Sequence, residues 1–308
     1  MREVDLIAGG SGFIGSHITQ GLLAAGRKVR ILDNLATGYL HNLEGFDCEI
    51  IQADAADFEA ASSACEGVAR IFHLAARPSV PWSFEYPEQA RHANLGTTES
   101  LIAAAEEQGV GRIVFSSSSA IYGDSPELPK TEDMEPAPKS PYAEHKLWSE
   151  QALAAAAERS GLESVSLRYF NVFGPRQDPN SPYSGVISLF AQWLKEGTPP
   201  TFFGDGKQTR DFIFVKDVVK ANLAAAEATL QQPAQVINIA CGQRINLLEL
   251  WDTMCKVAGV EGGTPIFRDE RIGDVRHSLA DLQRAQKVLG FQPDFDLEQG
   301  LALTLEAL

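Results

Sequence analysis

The chain has 308 residues, 44% of them hydrophobic and 22% charged, an ordinary globular composition with length for one large α/β domain or a large domain with a smaller lobe. Its formal net charge of -15 argues against a general surface for nucleic acid or anionic membrane, although a local basic pocket for a phosphorylated small molecule stays open. The sequence shows no signal-peptide pattern, no apolar run of about 18 residues, no CxxC pair and no histidine ligand spacing, so we expect a cytoplasmic protein without a membrane span, disulfide framework or metal site.

The first half of the chain alternates short β-rich runs with helical patterns. The six runs are VDLIA at 4–8, KVRIL at 28–32, CEIIQA at 48–53, VARIFHLA at 68–75, RIVFSS at 112–117 and SVSLRYF at 164–170. Helical patterns, such as those over 15–25 and 94–108, lie between them. This alternation predicts an α/β fold with a Rossmann-like, doubly wound parallel sheet and right-handed crossovers.

The residue pattern changes from about Asn171 onward, where loops rich in proline and glycine separate shorter predicted helices. We expect a smaller C-terminal substrate-binding lobe over the carboxyl edge of the sheet, the edge at which α/β proteins hold ligands. The predicted sheet domain covers 1–171 and takes back 213–243. The predicted lobe covers 172–212 and 244–308.

The stretch LIAGGSGFIGSH carries three spaced glycines, Gly9, Gly12 and Gly15, between the first strand and the first helix. In this context they predict a tight turn, a close approach of the backbone to a pyrophosphate, and close packing of helix on strand. Asp33 ends the second strand, where a carboxylate can accept hydrogen bonds from a ribose and repel a 2'-phosphate, so we expect NAD rather than NADP. Asp54, after the third strand, is placed either to contact the adenine or to cap a turn.

A tyrosine and a lysine one helical turn apart stand in SPYAEHK, where Tyr142 precedes Lys146. Hydride transfer from a carbinol needs a base, and we expect the lysine, with a positive nicotinamide ring, to lower the tyrosine pKa toward neutrality. A run from Ser116 to Ser119 lies at the end of the strand that begins at Arg112. One of these serines would hydrogen-bond the reacting oxygen, and composition does not choose among them.

The motifs together resemble the extended short-chain dehydrogenase/reductases and, within them, the nucleotide-sugar 4-epimerases. The resemblance runs over nearly the whole chain, and the motifs stand in the family's order. They are GGSGFIGSH, LDN, HLAA, SSSAIYG, SPYAEHK, RYFNVFGPRQDP, GDGKQTRDFIFVKD and GDVRHSLAD. The resemblance implies an NAD-dependent enzyme acting on a UDP-sugar, and a homodimer made through a four-helix bundle that includes the helix of Tyr142.

The resemblance also implies roles for individual residues. It makes Ser118 the catalytic serine, Tyr142 the base and Lys146 the residue that binds the nicotinamide ribose. The implied cofactor contacts are Gly9, Gly12, Phe13, Ile14, Gly15, Asp33, Asn34, Asp54, Ala55, Leu74, Ala75, Ala76, Asn94, Ser116, Tyr142, Lys146 and Phe170. The implied substrate contacts are Ser118, Tyr142, Asn171, Val186, Arg210, Arg271, Asp274 and Ser278. The two arginines would grip the phosphates, since guanidinium donors match phosphate oxygens.

Departures from related enzymes narrow the reaction and the substrate. Relatives that dehydrate or decarboxylate carry an acidic residue just after the catalytic hydroxyl residue, where this chain has Ser119 and Ala120, so simple epimerisation is favoured. Epimerases restricted to UDP-glucose and UDP-galactose have a tyrosine at the place of Ser278, and a small residue there leaves room for an N-acetyl group. We therefore expect interconversion of UDP-N-acetylglucosamine and UDP-N-acetylgalactosamine, with UDP-glucose and UDP-galactose as further substrates.

The implied reaction is a redox cycle without net oxidation, in which carbon 4 loses a hydride to NAD and regains it on its other face. A UDP-glucuronic acid 4-epimerase, or a reductase or dehydratase of the same fold, is the nearest alternative. A cofactor-sensing regulator without chemistry is a rival from another class. Regulators of that kind usually lose the tyrosine or the lysine, and this chain keeps both.

Overall fold

The computed structural model describes residues 3–178, 185–270 and 275–307. In this part of the chain, seven parallel strands form the main sheet. Side by side they are β10 (Ala234–Ile239), β6 (Glu163–Tyr169), β5 (Arg112–Ser118), β4 (Val68–His73), β1 (Val4–Ala8), β2 (Lys28–Asp33) and β3 (Glu49–Gln52). The strand order reverses between β1 and β4, which opens a crevice at their carboxyl ends. The predicted doubly wound parallel sheet is confirmed.

Helices cover both faces of the main sheet, and others belong to the smaller lobe. All α-helices of the described residues are, in chain order, α1 (Phe13–Ala24), α2 (Phe58–Cys65), α3 (Val80–Glu85), α4 (Pro87–Arg91), α5 (Thr97–Gln108), α6 (Pro141–Ser160), α7 (Val186–Glu196), α8 (Val215–Glu227), α9 (Leu247–Ala258), α10 (Gln283–Leu289) and α11 (Leu297–Glu306). A π-helical turn, His92–Gly96, leads into α5. None of these described helices is long and apolar enough to cross a membrane.

Strand alternation divides the core into two layers. In β1, Ile7 packs with residues of α1 and α8 on one face, whereas Leu6 and Ala8 pack with residues of α2, α5 and α6 on the other. Because successive side chains of a strand point to opposite faces, a strand buried on both sides must be apolar at nearly every position. This is why VDLIA and its counterparts are continuous rather than alternating runs.

Helix α6 is defined by local sequence at both ends. The Ser140 hydroxyl caps it by accepting a hydrogen bond from the Ala143 N–H at 3.2 Å, and Pro141 occupies its first position. The helix ends at Gly161, whose φ of 76° is left-handed. The helix places Tyr142 in its first turn, beside the carboxyl edge of the sheet.

The smaller lobe is built from two short sheets and three helices, α7, α9 and α11. One sheet has β7 (Asn171–Phe173), β9 (Thr209–Phe214) and β11 (Arg244–Asn246), and the other has β8 (Thr201–Phe203) and β12 (Ile266–Arg268). Its core is aromatic, with the rings of Phe190 and Trp251 packed edge to face at 5.2 Å. Strand β10 returns to the main sheet, within the segment predicted to do so. The exact domain boundaries stay predictions. The predicted divisions after residues 171 and 212 fall inside β7 and β9, and these two strands pair with each other.

Candidate active site

The glycine loop between β1 and α1 is packed so closely that two of its positions admit only glycine. A Cβ on Gly9 would lie 2.6 Å from the Ala75 nitrogen, and its φ of +84° is left-handed. A Cβ on Gly15 would lie 2.2 Å from the Gly9 carbonyl oxygen. Gly12 differs, since a Cβ there would meet only that same oxygen, at 3.4 Å. The structure therefore leaves open space at the N-terminus of α1, where unpaired N–H groups and the helix dipole favour an anion.

The carboxylate of Asp33 is buried beside this loop. It accepts hydrogen bonds from the N–H groups of Ser11, at 3.0 Å, and Leu35, at 2.8 Å. A carboxylate offers about four acceptor positions, so two remain for ribose hydroxyls. Asn34 lies exposed at the rim and accepts a hydrogen bond from the Ala36 N–H at 3.0 Å. The arrangement around Asp33 fits the predicted adenosine ribose site.

Asp54 performs the turn role that the sequence left open. Its carboxylate accepts a hydrogen bond from the Ala56 N–H at 3.0 Å and lies 3.1 Å from the His92 Nε2. Ala55 is buried behind it. Neither contact uses all of the carboxylate's acceptor positions, so adenine recognition by Asp54 stays a prediction.

One buried amide among the predicted cofactor contacts has an unused donor. Asn94 is 3% exposed, and its Oδ1 accepts a hydrogen bond from the Arg77 N–H at 2.8 Å. Its Nδ2 has no hydrogen-bond partner among the described residues. A buried donor left without an acceptor costs free energy, so this atom suits a ligand oxygen. Leu74, Ala75 and Ala76 lie half-buried where β4 has ended, and together with the glycine loop these residues fit NAD.

The three predicted catalytic residues come together where β5 meets α6. Ser118 is the last residue of β5, and its hydroxyl shares a hydrogen bond with the Tyr142 hydroxyl. Tyr142 is held from behind, since its N–H donates to the Ser83 Oγ at 3.2 Å. The Lys146 Nζ donates to the Ser116 carbonyl oxygen at 2.6 Å and lies 6.0 Å from the centre of the Tyr142 ring. Of the four serines, Ser118 is the one bonded to Tyr142, and its catalytic role stays a prediction.

Burial dominates the protonation of this pair in the chain without NAD. It raises the pKa of Tyr142 to about 12, and the hydrogen bond with Ser118 offsets only part of that rise. Burial also lowers the pKa of Lys146 to about 7, against the opposing pull of Glu150, and leaves the lysine only partly charged near neutral pH. The prediction that Lys146 and a positive nicotinamide ring together bring the tyrosine pKa toward neutrality concerns the protein with NAD bound and stays a prediction.

A cavity of about 280 Å³ opens beside the catalytic serine. Its lining residues come from the end of β5 and the turn after it, position 130, the end of β6 and the two residues after it, β9, and the segment after residue 274. They are Ser118, Ser119, Ala120, Tyr122, Gly123, Lys130, Tyr169, Phe170, Asn171, Arg210, Val275, His277 and Ser278. This described lining includes the cations Lys130 and Arg210 and no carboxylate, although the chain as a whole is acidic. The cavity is thus a local basic site suited to an anion.

Of the six predicted substrate contacts that the structure describes, Ser118, Asn171, Arg210 and Ser278 line this cavity, and Tyr142 and Val186 do not. Val186 begins α7 and packs against the aromatic core of the smaller lobe, because that face of the helix is apolar. Arg271 and Asp274 lie outside the described residues, so their predicted roles stay predictions. Phe170 lines the cavity and packs 6.3 Å from the ring of Tyr122.

A family model described as the NAD-dependent epimerase/dehydratase family matches residues 6–240. The match spans the glycine loop, Ser118, Tyr142 and Lys146. The chain belongs to this epimerase/dehydratase family. Membership explains why the cofactor crevice and the basic cavity meet at one edge of the sheet.

Individual members of the epimerase/dehydratase family match over almost the whole chain. A UDP-glucose 4-epimerase of Mycolicibacterium smegmatis is 37% identical and covers 98% of this chain and 97% of its own. The structure of a UDP-N-acetylglucosamine 4-epimerase from Methanobrevibacter ruminantium, in complex with UDP-N-acetylmuramic acid, is 39% identical with a TM-score of 0.94, covering 99% and 97%. That of a UDP-glucuronic acid 4-epimerase variant from Bacillus cereus, with NAD and UDP-4-deoxy-4-fluoro-glucuronic acid, is 28% identical with a TM-score of 0.91, covering 99% and 98%.

Sequence reasoning missed two parts of this family site. Lys130 lines the cavity although nothing in its LPKTED context signals a ligand, since its side chain reaches the site through tertiary packing. Glu150, buried against Arg168, follows Lys146 by one further helical turn. The spacing of four residues was a usable signal for Glu150, because Tyr142, Lys146 and Glu150 share one helix face.

Proposed function

We propose that the chain is a UDP-sugar 4-epimerase that works by transient oxidation at carbon 4, with tightly bound NAD. The observation that carries the proposal is the meeting of the Ser118–Tyr142–Lys146 group with a basic cavity at the carboxyl edge of the sheet. A site of this kind supplies a base beside the sugar and cations beside the diphosphate. The family to which the chain belongs supports the same reaction class.

The chain's own residues would divide the work as follows. Bound NAD would accept the hydride of carbon 4 and return it. Its positive ring would lower the pKa of Tyr142 from the high value that burial gives it. Ionised Tyr142, directly or through the Ser118 hydroxyl, removes the proton from the 4-hydroxyl group and later restores it. Asn171 and Arg210, which also line the cavity, hold the diphosphate while the 4-keto sugar turns to present its opposite face.

The residues after Ser118 favour epimerisation over dehydration or decarboxylation. Ser119 and Ala120 line the cavity there and carry no carboxylate. Elimination of water or loss of carbon dioxide from the 4-keto sugar needs a further acid or base beside the sugar. The cavity lining among the described residues contains none of the carboxylates that would serve.

We propose UDP-N-acetylglucosamine and UDP-N-acetylgalactosamine as the main substrates, with UDP-glucose and UDP-galactose accepted as well. Ser278 is a buried wall residue of the cavity, and its small side chain leaves volume for a 2-acetamido group without excluding a hydroxyl. UDP-glucuronic acid is the second candidate. It is favoured by Lys130, a buried cation of the same cavity that could pair with a sugar carboxylate.

We further propose a homodimer that packs through α5 and α6. Support comes from Trp148 on α6, which is 42% exposed although large apolar side chains are usually buried. Light scattering of the purified chain tests the assembly. A mass of twice 33.4 kDa is expected, and a monomer that dimerises in neither the presence nor the absence of NAD would contradict it.

Proton NMR of the sugar tests the proposed reaction and its substrates together. The NAD-containing protein would be mixed, without added reductant, with UDP-N-acetylglucosamine, UDP-glucose or UDP-glucuronic acid in separate samples. We expect galacto epimers from the first two. Conversion of UDP-glucose alone would contradict the open pocket at Ser278, and conversion of UDP-glucuronic acid alone would select the second candidate.

A further inference from the structure

A buried charge network lies directly beneath the catalytic group. The carboxylate of Glu150 accepts hydrogen bonds from the Arg168 Nε at 3.0 Å, the Arg168 Nη2 at 2.7 Å and the Ser117 hydroxyl at 2.5 Å. All three residues are buried. Removing two charges from water is costly, so a pair at this depth is weak evidence for stability and invites a functional explanation.

The network is anchored to the strand end that carries the catalytic serine. Ser117 stands between Ser116, whose carbonyl oxygen accepts the Lys146 ammonium, and Ser118, which bonds Tyr142. Strand alternation turns the Ser117 side chain toward α6, away from its two neighbours. Its bond to Glu150 therefore fixes the strand end against the helix and sets where the Ser116 carbonyl lies.

The same network reaches the wall of the substrate cavity. The Arg168 guanidinium lies over the Tyr122 ring, with 4.8 Å between its central carbon and the ring centre. The Tyr122 hydroxyl donates to the Asn238 Oδ1 at 2.6 Å, and Tyr122 lines the cavity. Glu150 is thus linked through Ser117 to the strand end whose Ser116 carbonyl binds the lysine, and through Arg168 to Tyr122 in the cavity wall.

Three titratable groups face Lys146 among the described residues: Tyr142 and Glu150 on its own helix, and His73 on β4. Arg168 on β6 pairs with Glu150. Burial, followed by the charge of Lys146, lowers the pKa of His73 well below its usual value, which keeps its imidazole neutral. Glu150 is the carboxylate of this set.

We propose that Glu150 is a positioning residue for the catalytic lysine: through Ser117 it holds the Ser116 carbonyl that accepts the lysine ammonium, and it supplies a negative charge beside that ammonium. The proposal rests on the proposed function only for the catalytic role of Lys146. The network itself follows from the geometry. The test therefore measures the titration of Lys146 itself as well as the enzyme activity.

The test is an NMR titration of the protein with lysine labelled with carbon-13 at Cε, the Lys146 signal being assigned by its loss in Lys146→Arg. In the wild-type chain Lys146 should titrate near the value of about 7 that burial gives it. In Glu150→Gln we expect the titration to move down by about one pH unit, because the neighbouring negative charge is gone. The control Glu158→Gln alters an exposed residue of the same helix and should leave the titration unchanged. Glu150→Asp keeps the charge and should restore most of the shift.

An unchanged Lys146 titration in folded Glu150→Gln would overturn the proposal and leave Glu150 a purely structural residue. If Glu150→Gln does not fold, Ser117→Ala serves instead, because it removes one hydrogen bond and no charge. That variant should move the Lys146 titration down and lower kcat about 5-fold or more, since the Ser116 carbonyl oxygen that accepts the lysine ammonium is no longer held in place. No change in either quantity would contradict the proposal. Absence of epimerase activity in the wild type would count against the proposed function alone.

Discussion

Replacing Gly12 by alanine separates cofactor binding from folding. Gly12 has φ -73° and ψ 176°, an extended conformation that any residue adopts, and an added Cβ would meet one atom, the Gly9 oxygen at 3.4 Å. Alanine in place of glycine stabilises a protein at such a position by about 0.4–1 kcal/mol, because it reduces the conformational entropy of the unfolded chain. Alanine is also a poorer N-cap residue than glycine, which costs a similar amount. We therefore expect the unfolding free energy of the chain without NAD to change by less than about 1 kcal/mol.

The methyl group would nevertheless occupy the space proposed for the pyrophosphate. Overpacking by one methyl costs about 1–3 kcal/mol, so NAD affinity should fall about 5- to 150-fold. The NAD content per chain after gel filtration, and the affinity of cofactor-free protein by calorimetry, measure this loss.

Gly15→Ala is the matched control. Its Cβ would lie 2.2 Å from the Gly9 carbonyl oxygen, so α1 must shift and the chain should lose about 2 kcal/mol or more of unfolding free energy before NAD is considered. A Gly12→Ala protein that binds NAD as the wild type does would refute the pyrophosphate position, and a stable Gly15→Ala protein would refute the packing argument.

Three further predictions concern the catalytic tyrosine, the pocket and a buried carboxyl group. Tyr142→Phe should lower kcat about 10³-fold while NAD content stays unchanged, as steady-state assays and absorbance would show. Ser278→Tyr should lower the kcat/KM ratio of UDP-N-acetylglucosamine to UDP-glucose about 100-fold, and an unaltered ratio would exclude Ser278 from the pocket argument. Burial raises the pKa of Asp211 to about 7. The protonated Asp211 carboxyl therefore contributes fully to the free energy of unfolding below about pH 4, and this contribution is lost as the pH rises to about 7. Urea denaturation should show unfolding free energy falling across that window in the wild type and falling less in Asp211→Asn.

The sheet was predictable because its strands are buried on both faces. Continuous apolar runs such as VDLIA carry a strong signal, and β1 has the predicted bounds. The run at 68–75 was predicted too long, since β4 ends at His73. Leu74 and Ala75 leave the sheet because the backbone there packs against Gly9, a long-range contact that no local pattern records.

The site was predictable where chemistry has a fixed spacing. Tyr142 and Lys146 lie one turn apart on α6, and Gly9 and Gly15 belong to one loop and the helix that follows it, so sequence spacing carries their geometry. The pKa of Tyr142 was not predictable, because desolvation depends on how the whole edge of the sheet is covered. The same holds for the basic cavity, whose lining comes from five separate segments of the chain.

The most direct test of the account follows the hydrogen on carbon 4. UDP-N-acetylglucosamine carrying deuterium at that carbon would be incubated in ordinary water with the purified protein and its bound NAD. We predict UDP-N-acetylgalactosamine that keeps the deuterium at carbon 4, since the same hydride leaves and returns within the closed site. Inversion with loss of the label to solvent, or no inversion by protein that contains NAD, would contradict epimerisation of this sugar by transient oxidation.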